Sequence, residues 1–318
     1  RTADAYRSLG TSAGPQLGRL ARTAHHEREA GRADEASLAF EEAGQLARRV
    51  YANREALAYL EAAIALGHPD VTGIHLAIGD VRTRVGDYPG AIAAFEMAAA
   101  SAPPEHLGGI EQRVGRIHLR RGDAVRADAH FAAALAALDA QEEVSGPARS
   151  RIFADRAIAA VRAGDREGAA SFATEAHALA AGDAAAVVDA DRILGLLARE
   201  RGDLAESRTL LERSLAAAAS LDDPLPAIAA TNGLVLVTAD QGDTDAAIEL
   251  AEAVLATARR TGERHLEAAI ENNLADALES AGRREDAMEH LKAAARAFAE
   301  VGGDVEEPEP GIWMLESW

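Results

Sequence analysis

The stretch VGDYPGAIAAFEMA, residues 85–98, contains a Gly-Asp step followed by small and aromatic residues at fixed distances. After Gly86 come Ala91, Phe95 and Ala98, which are separated by four and then three residues and therefore share one face of a helix. A glycine ends a helix easily in the left-handed conformation, and the side chain of the following Asp87 can cap the next helix. The stretch predicts a tight hinge between two antiparallel helices.

The same hinge recurs along the chain. Gly followed by Asp or Arg appears at intervals of 36 to 42 residues, and small and larger apolar residues follow each copy at mostly the same distances. A period in this range is the sequence signature of a solenoid built from repeated helix pairs. The six hinge glycines are Gly86, Gly122, Gly164, Gly202, Gly242 and Gly282.

These positions resemble the tetratricopeptide repeat, and LAIGDVRTRVGDYPGAIAAFEMA, residues 76–98, carries nearly the full pattern of that family. The resemblance extends over roughly residues 17–301, with repeats lengthened to about 40 residues from the family's usual length of about 34. It implies an all-α, right-handed superhelical solenoid of antiparallel helix pairs. HEAT-type repeats share the longer period and are the alternative, which the Gly-Asp hinge disfavours.

The regularity of the pattern divides the chain into three parts. Residues 1–70 are expected to form an irregular helical segment of the array, and residues 71–301 are expected to form six helix pairs. Together they should contain about fifteen helices. Residues 302–318 form an acidic tail whose apolar end contains Trp313 and Trp318. This tail is expected either to pack back on the array or to contact a partner.

The composition argues against several classes of function. A net charge of −19 opposes binding to nucleic acid or to anionic membranes, and the absence of cysteine excludes a thiolate nucleophile. The sequence contains no phosphate-binding loop, and its sole lysine, Lys292, lies inside a predicted helix. His25, His26 and Glu29 lack a second cluster that could complete a metal site. We therefore expect a cytoplasmic protein that is not an enzyme and holds no cofactor or metal.

In the family that the chain resembles, the first helix of each pair lines a concave groove. The resemblance places the lining positions about ten, six and three residues before each hinge glycine. Arginines at these positions predict a positive strip in an acidic protein, which would attract an acidic partner. Two asparagines in equivalent positions would hold the backbone of that partner. The candidate partner-binding residues are Gln112, Arg116, Arg192, Arg199, Asn232, Asn272 and Asp276.

Two segments, residues 51–66 and 271–303, are similar to the helical-repeat halves of large bacterial multidomain regulators. In those proteins a signal-transduction ATPase module is combined with a LuxR-type or other DNA-binding domain, or with a nucleotide-cyclase domain. The resemblance implies a non-catalytic sensor module that binds a protein, peptide or inducer in its groove, with an ATPase or DNA-binding domain upstream in the same polypeptide. The alternative is a free-standing scaffold for complex assembly or self-association.

Overall fold

The computed structural model describes residues 2–141 and 145–301 of the 318-residue chain, and these residues form fifteen α-helices and no strand. The all-helical fold and the number of helices agree with the sequence-based prediction. The helices are α1 (Thr2–Glu29), α2 (Ala33–Arg49), α3 (Asn53–Ala65), α4 (Val71–Val85), α5 (Tyr88–Ala99), α6 (Pro104–Arg120), α7 (Ala124–Asp139), α8 (Gly146–Arg162), α9 (Arg166–Leu179), α10 (Ala184–Glu200), α11 (Leu204–Ala218), α12 (Leu225–Asp240), α13 (Thr244–Thr261), α14 (Arg264–Ser280) and α15 (Arg284–Val301).

The helices belong to two compact units, of which the first ends at His106 and the second begins at Leu107. The first unit contains α1 to α5, and the second contains most of α6 and all of α7 to α15. The predicted boundary at residue 70 stays a prediction. The predicted tail, residues 302–318, lies outside the described residues. Within the described part of the chain, no helix combines the length and the apolar character needed to cross a membrane.

The predicted hinges are present. All six hinge glycines have a positive φ, between 77° and 84°, which is the left-handed conformation that a glycine adopts at little cost. In five of the six hinges, the aspartate that follows the glycine caps the next helix. At the first of these hinges, Asp87 Oδ1 accepts a hydrogen bond of 3.0 Å from the backbone N–H of Gly90. The same cap begins α7, α9, α11 and α13, which explains why the Gly-Asp step recurs.

Small residues allow the two helices of each pair to pack closely. The Phe95 side chain of α5, 1% exposed, lies against Gly79 of α4. A Cβ atom added to Gly79 would lie only 2.4 Å from Phe95 Cε1, so no larger residue fits there without movement. Gly115 and Phe131 repeat this contact between α6 and α7, with a corresponding distance of 2.5 Å. The repeat therefore specifies close helix packing as well as the hinge.

Candidate functional site

The first helices of successive pairs lie side by side in the second unit, where α8 contacts α10, α10 contacts α12, and α12 contacts α14. Side chains of α6 reach further along this series. Arg116 of α6 contacts Asp189 of α10, and Arg120 of α6 contacts Glu263 at the start of α14. Because α6 reaches helices two and four pairs away, α6, α8, α10, α12 and α14 line the inside of a tightly curved unit. We call the side chains that these helices direct inward the inner face.

Arg116 is at the centre of a charged network on the inner face. Its Nε donates a hydrogen bond of 2.8 Å to Asp155 Oδ2, and its Nη2 donates one of 3.3 Å to Asp189 Oδ2. Gln112 Nε2 donates a third, of 2.6 Å, to Asp155 Oδ2. Burial raises the pKa of Asp155, and the nearby Arg116 guanidinium opposes this rise. Burial also disfavours the charge on Arg116, but the two carboxylates outweigh it and raise the pKa of that arginine.

Arg199 is also paired, because its Nε donates a hydrogen bond of 2.6 Å to Asp240 Oδ2 of α12. Two of the three arginines in the predicted positive strip are therefore already paired within the chain. Arg116 contacts Asp155 and Asp189, and Arg199 contacts Asp240. These three aspartates lie outside the positions that the repeat pattern selected, so the sequence pattern did not reveal that they neutralise the arginines.

Two cross-links of the same kind join neighbouring first helices. Gln112, ten residues before its hinge glycine, bonds to Asp155, nine residues before the next hinge glycine. The equivalent residues three repeats later are Asn232 and Asn273, and Asn273 Nδ2 donates a 2.9 Å hydrogen bond to Asn232 Oδ1. The offset of one residue that these two pairs share is the sequence signal that could have identified Asp155 and Asn273 as members of the inner face.

Arg192 occupies the same position as Gln112 and Asn232 but has no such cross-link. The residue that would complete it is Gly233, which has no side chain to offer. Among the described residues, none forms a hydrogen bond or an ion pair with Arg192, although Asp189 and Asp155 act on it through space. Burial lowers the pKa of Arg192. An arginine nevertheless stays protonated near neutral pH, so the inner face contains a partly desolvated cation without a directly bonded anion.

The predicted asparagines lie further inside the helix packing than expected. Asn232 is fully buried and Asn272 is 2% exposed. Asn232 Oδ1 accepts the bond from Asn273, so this oxygen is already used within the helix packing, and the role of Asn232 in holding a partner stays a prediction. Asn272 Nδ2 donates a long hydrogen bond, 3.4 Å, to Asp276 Oδ2. Within the described part of the chain, the buried Oδ1 atoms of Asn272 and Asn273 have no hydrogen-bond partner.

The histidines considered for metal binding take part in other contacts. The His25 ring lies edge-on to Phe40, with 5.2 Å between ring centroids, and His26 Nδ1 lies 3.9 Å from Glu29 Oε2. Among the side chains that the structure describes, no group of three or more His, Cys, Asp or Glu could hold a metal ion.

Known proteins share this fold. Residues 226–300 match the tetratricopeptide-repeat family model. Among solved structures, the chain is similar to the apo form of the quorum sensor NprR from B. thuringiensis, at 15% identity over 92% of this chain and 85% of that chain, with a TM-score of 0.64. It is also similar to aspartyl phosphate phosphatase F from Bacillus subtilis, at 10% identity over 90% and 77% of the two chains, with a TM-score of 0.60.

A third similar structure is a Rap protein complexed with Competence and Sporulation Factor, at 14% identity over 85% of this chain and 79% of that chain, with a TM-score of 0.57. No curated protein matches the chain in sequence. Sequence identities this low establish the fold alone. The hinge geometry, the family match over residues 226–300 and the similar structures together identify a tetratricopeptide-like array of helix pairs.

Proposed function

We propose that this chain is a non-catalytic interaction module that binds a segment of a protein or peptide along the inner face of its second unit. The observation that carries this proposal is Arg192, a charged side chain among the inner helices that lacks a directly bonded anion. The Arg192 side chain is partly buried, so its guanidinium is less fully hydrated than that of an exposed arginine and can gain from an added anion. A carboxylate supplied by a partner would complete the cross-link that Gly233 leaves open.

The surroundings of Arg192 favour a carboxylate over a neutral group. Asp189 and Asp155 act on Arg192 through space, and both already bond to Arg116. The guanidinium of Arg192 therefore keeps its own donors for a partner. Hydrogen bonds from a guanidinium to a carboxylate are roughly twice as strong as neutral ones. An acidic side chain or a C-terminal carboxylate is the partner group that this position fits.

Asn272 supplies the complementary chemistry. Its unpartnered Oδ1 can accept a hydrogen bond from a main-chain N–H, which every peptide residue other than proline provides. Because Asn272 is 2% exposed, a bound segment must displace neighbouring side chains to reach it. The weak bond from Asn272 to Asp276, 3.4 Å long, is the contact that such a segment would replace most easily.

The biological role that we propose is a sensor in a bacterial regulatory protein, attached to an ATPase or DNA-binding domain of the same polypeptide and working in the cytoplasm. The likeness in fold to a quorum sensor, and to a Rap protein complexed with Competence and Sporulation Factor, supports a role in recognising a signal. In such a regulator, binding at the inner face would favour one state of the attached domain.

Selection from a phage-displayed library of random peptides tests the proposal. We expect the selected peptides to carry acidic residues and to bind the wild-type chain measurably in isothermal titration calorimetry. Arg192→Gln and Asn272→Ala should each weaken that binding at least about tenfold, because each removes a charge-assisted or buried hydrogen bond.

The matched control is Arg166→Gln, which removes an exposed arginine from the start of α9 and should leave affinity unchanged. Peptides that bind Arg192→Gln and Asn272→Ala as tightly as the wild type would exclude the inner face. A free-standing scaffold would then be the better account of the chain.

A further inference from the structure

The first unit contains a cavity of about 310 Å³ in the cleft between α3 and α5, above α4. Apolar side chains form most of its wall, among them Ile64, Ile78 and Ala94. Met97 lies at its mouth with 55% of its surface exposed. Mostly apolar cavities of this size can hold a small molecule or one side chain of a partner protein.

The repeat explains why the cavity exists. In three later repeats, the residue eleven positions before the hinge glycine contacts the residue eight positions after it. Glu111 Oε2 and His130 Nδ1 form a hydrogen bond of 2.7 Å in this way. Glu271 Oε2 and His290 Nδ1 form the equivalent bond, at 2.6 Å. The equivalent pair in the next repeat after Glu111 is Phe153 and Phe172, whose rings stack with 6.1 Å between centroids.

The repeat with hinge Gly86 has His75 and Ala94 at these two positions. All five later repeats have a larger side chain than alanine at the second position: His130, Phe172, Leu210, Leu250 and His290. Both His75 and Ala94 line the cavity. The cavity therefore occupies the place where an equivalent repeat puts a ring or a branched apolar side chain of its own.

The rim of the cavity is polar, and two hydrogen bonds fix the position of Arg82 there. Arg82 Nη2 donates a 2.9 Å hydrogen bond to Glu61 Oε1, and Arg82 Nη1 donates one of 3.2 Å to the carbonyl oxygen of Gly90. The Glu61 side chain is 51% exposed, so its carboxylate can accept a further hydrogen bond from outside. Burial, with a smaller effect of Arg82, lowers the pKa of His75. His75 is therefore neutral near pH 7 and offers an uncharged ring face.

We propose that this cavity receives an aromatic side chain of a partner polypeptide, in the place that Phe172 fills within its own repeat. The apolar wall buries the ring, the His75 imidazole packs against it, and Glu61 accepts a main-chain N–H beside it. A buried aromatic anchor of this kind contributes strongly to many protein interfaces. This site lies in the first unit and is independent of the function proposed for the second.

Nuclear magnetic resonance of methyl-labelled methionine tests the site on the full chain. The sequence has three methionines, of which Met97 lies at the cavity and Met288, 52% exposed, lies on α15. Loss of one signal in Met97→Leu assigns the Met97 methyl group. We expect N-acetyl-tryptophanamide to shift that signal in a saturable manner, because of the ring current, while the Met288 signal stays in place. Equal, non-saturating shifts of both signals would overturn the proposal.

Variants at Ala94 distinguish this cavity from other surfaces. Ala94→Phe and the smaller Ala94→Leu should fill the cavity from inside and abolish the saturable shift, with far-UV circular dichroism confirming that each is folded. The matched control, Ala132→Phe, adds the same ring at an exposed position of α7 and should retain the shift. If a folded Ala94→Leu chain shows the same saturable shift as the wild type, the probe binds elsewhere and the proposal is wrong.

Two further experiments identify the molecule that supplies the aromatic ring. A polypeptide ligand predicts that N-acetyl-tryptophanamide binds more tightly than 3-methylindole, which lacks the amide groups that Glu61 would contact. Equal or tighter binding of 3-methylindole would instead indicate a free aromatic compound. If replacing both Trp313 and Trp318 by alanine increased the affinity for the probe, the chain's own tail would be the occupant, and the assignment to a partner would be wrong.

Discussion

Arg120, in the last turn of α6, forms a hydrogen-bonded ion pair with Glu263, the residue that caps α14, although 143 residues separate the two. Glu263 is 1% exposed, and its Oε2 also accepts a 2.6 Å hydrogen bond from the backbone N–H of Leu266. The pair connects α6 and α14 across the inner face. These are the leading helices of the first and last helix pairs in the second unit. It therefore limits how far α6 and α14 can move apart.

Loss of this ion pair should destabilise the chain. Arg120→Met leaves the Glu263 carboxylate buried without its cation, and we expect a loss of about 3 kcal/mol in the free energy of unfolding. Urea denaturation followed by far-UV circular dichroism measures it. Arg201→Met, which breaks the exposed pair with Glu206, is the control and should cost less than about 1 kcal/mol. Similar losses for the two variants would mean that the Arg120–Glu263 contact contributes little.

Arg116 and Arg192 should respond differently to the same substitution. Arg116→Gln leaves Asp155 buried with one fewer donor, and we expect a loss of about 2 kcal/mol, reduced because Arg116 is itself 42% exposed. Arg192→Gln removes no bond within the described residues, so stability should change by no more than about 0.5 kcal/mol. Urea denaturation of both variants checks this. Destabilisation by Arg192→Gln as large as that by Arg116→Gln would contradict the unpaired state of Arg192.

Two glycines of α6 provide an internal comparison of packing and helix propensity. Gly115→Ala places a Cβ atom 2.5 Å from the buried ring of Phe131 and should destabilise by about 1–3 kcal/mol. Gly109→Ala meets only the end of the Arg113 side chain, at 3.4 Å, and should stabilise by about 0.5–1 kcal/mol through helix propensity. Thermal unfolding of the two variants shows whether their changes in stability have opposite signs. A stabilising Gly115→Ala would show that Phe131 moves aside without cost.

His265 should make stability depend on pH. Burial, together with repulsion from Arg120 and Arg162, lowers the pKa of His265 well below its usual value of about 6.5. The folded chain thus keeps His265 neutral while the unfolded chain protonates it. The stability that this group contributes is present above about pH 6.5 and is lost as the pH falls below that value, with a limiting slope of about 1.4 kcal/mol per pH unit.

His265→Gln should therefore flatten the dependence of unfolding free energy on pH between about 7 and 5. Urea denaturation at several pH values gives that dependence, and the difference from the wild type isolates His265 from the other titrating groups. His106→Gln, at an exposed position, is the control and should retain the wild-type slope. Parallel curves for His265→Gln and the wild type would show that His265 titrates alike in the folded and unfolded chains.

The repeated fold could be read from the sequence because its determinants are local. Gly86 adopts the left-handed conformation, and Asp87 caps the following helix. Gly79 packs against the Phe95 ring of the next helix. Each contact joins residues at a fixed, short separation, and the pattern recurs with each pair of helices. A periodic sequence therefore predicts both the hinge and the packing without knowledge of how distant repeats are arranged.

The chemistry of the inner face depended on the tertiary structure. The sequence placed Arg116, Arg192 and Arg199 at three different lining positions of one groove and predicted a positive strip. Curvature of the second unit brings Asp155, Asp189 and Asp240 to two of them and leaves the third without a bonded anion. Electrostatic pairing depends on distances of a few ångströms between residues far apart in the chain, whereas hinge geometry depends on neighbours. The sequence by itself therefore determined the helix pairs, and the tertiary structure decided which of their charges a partner could use.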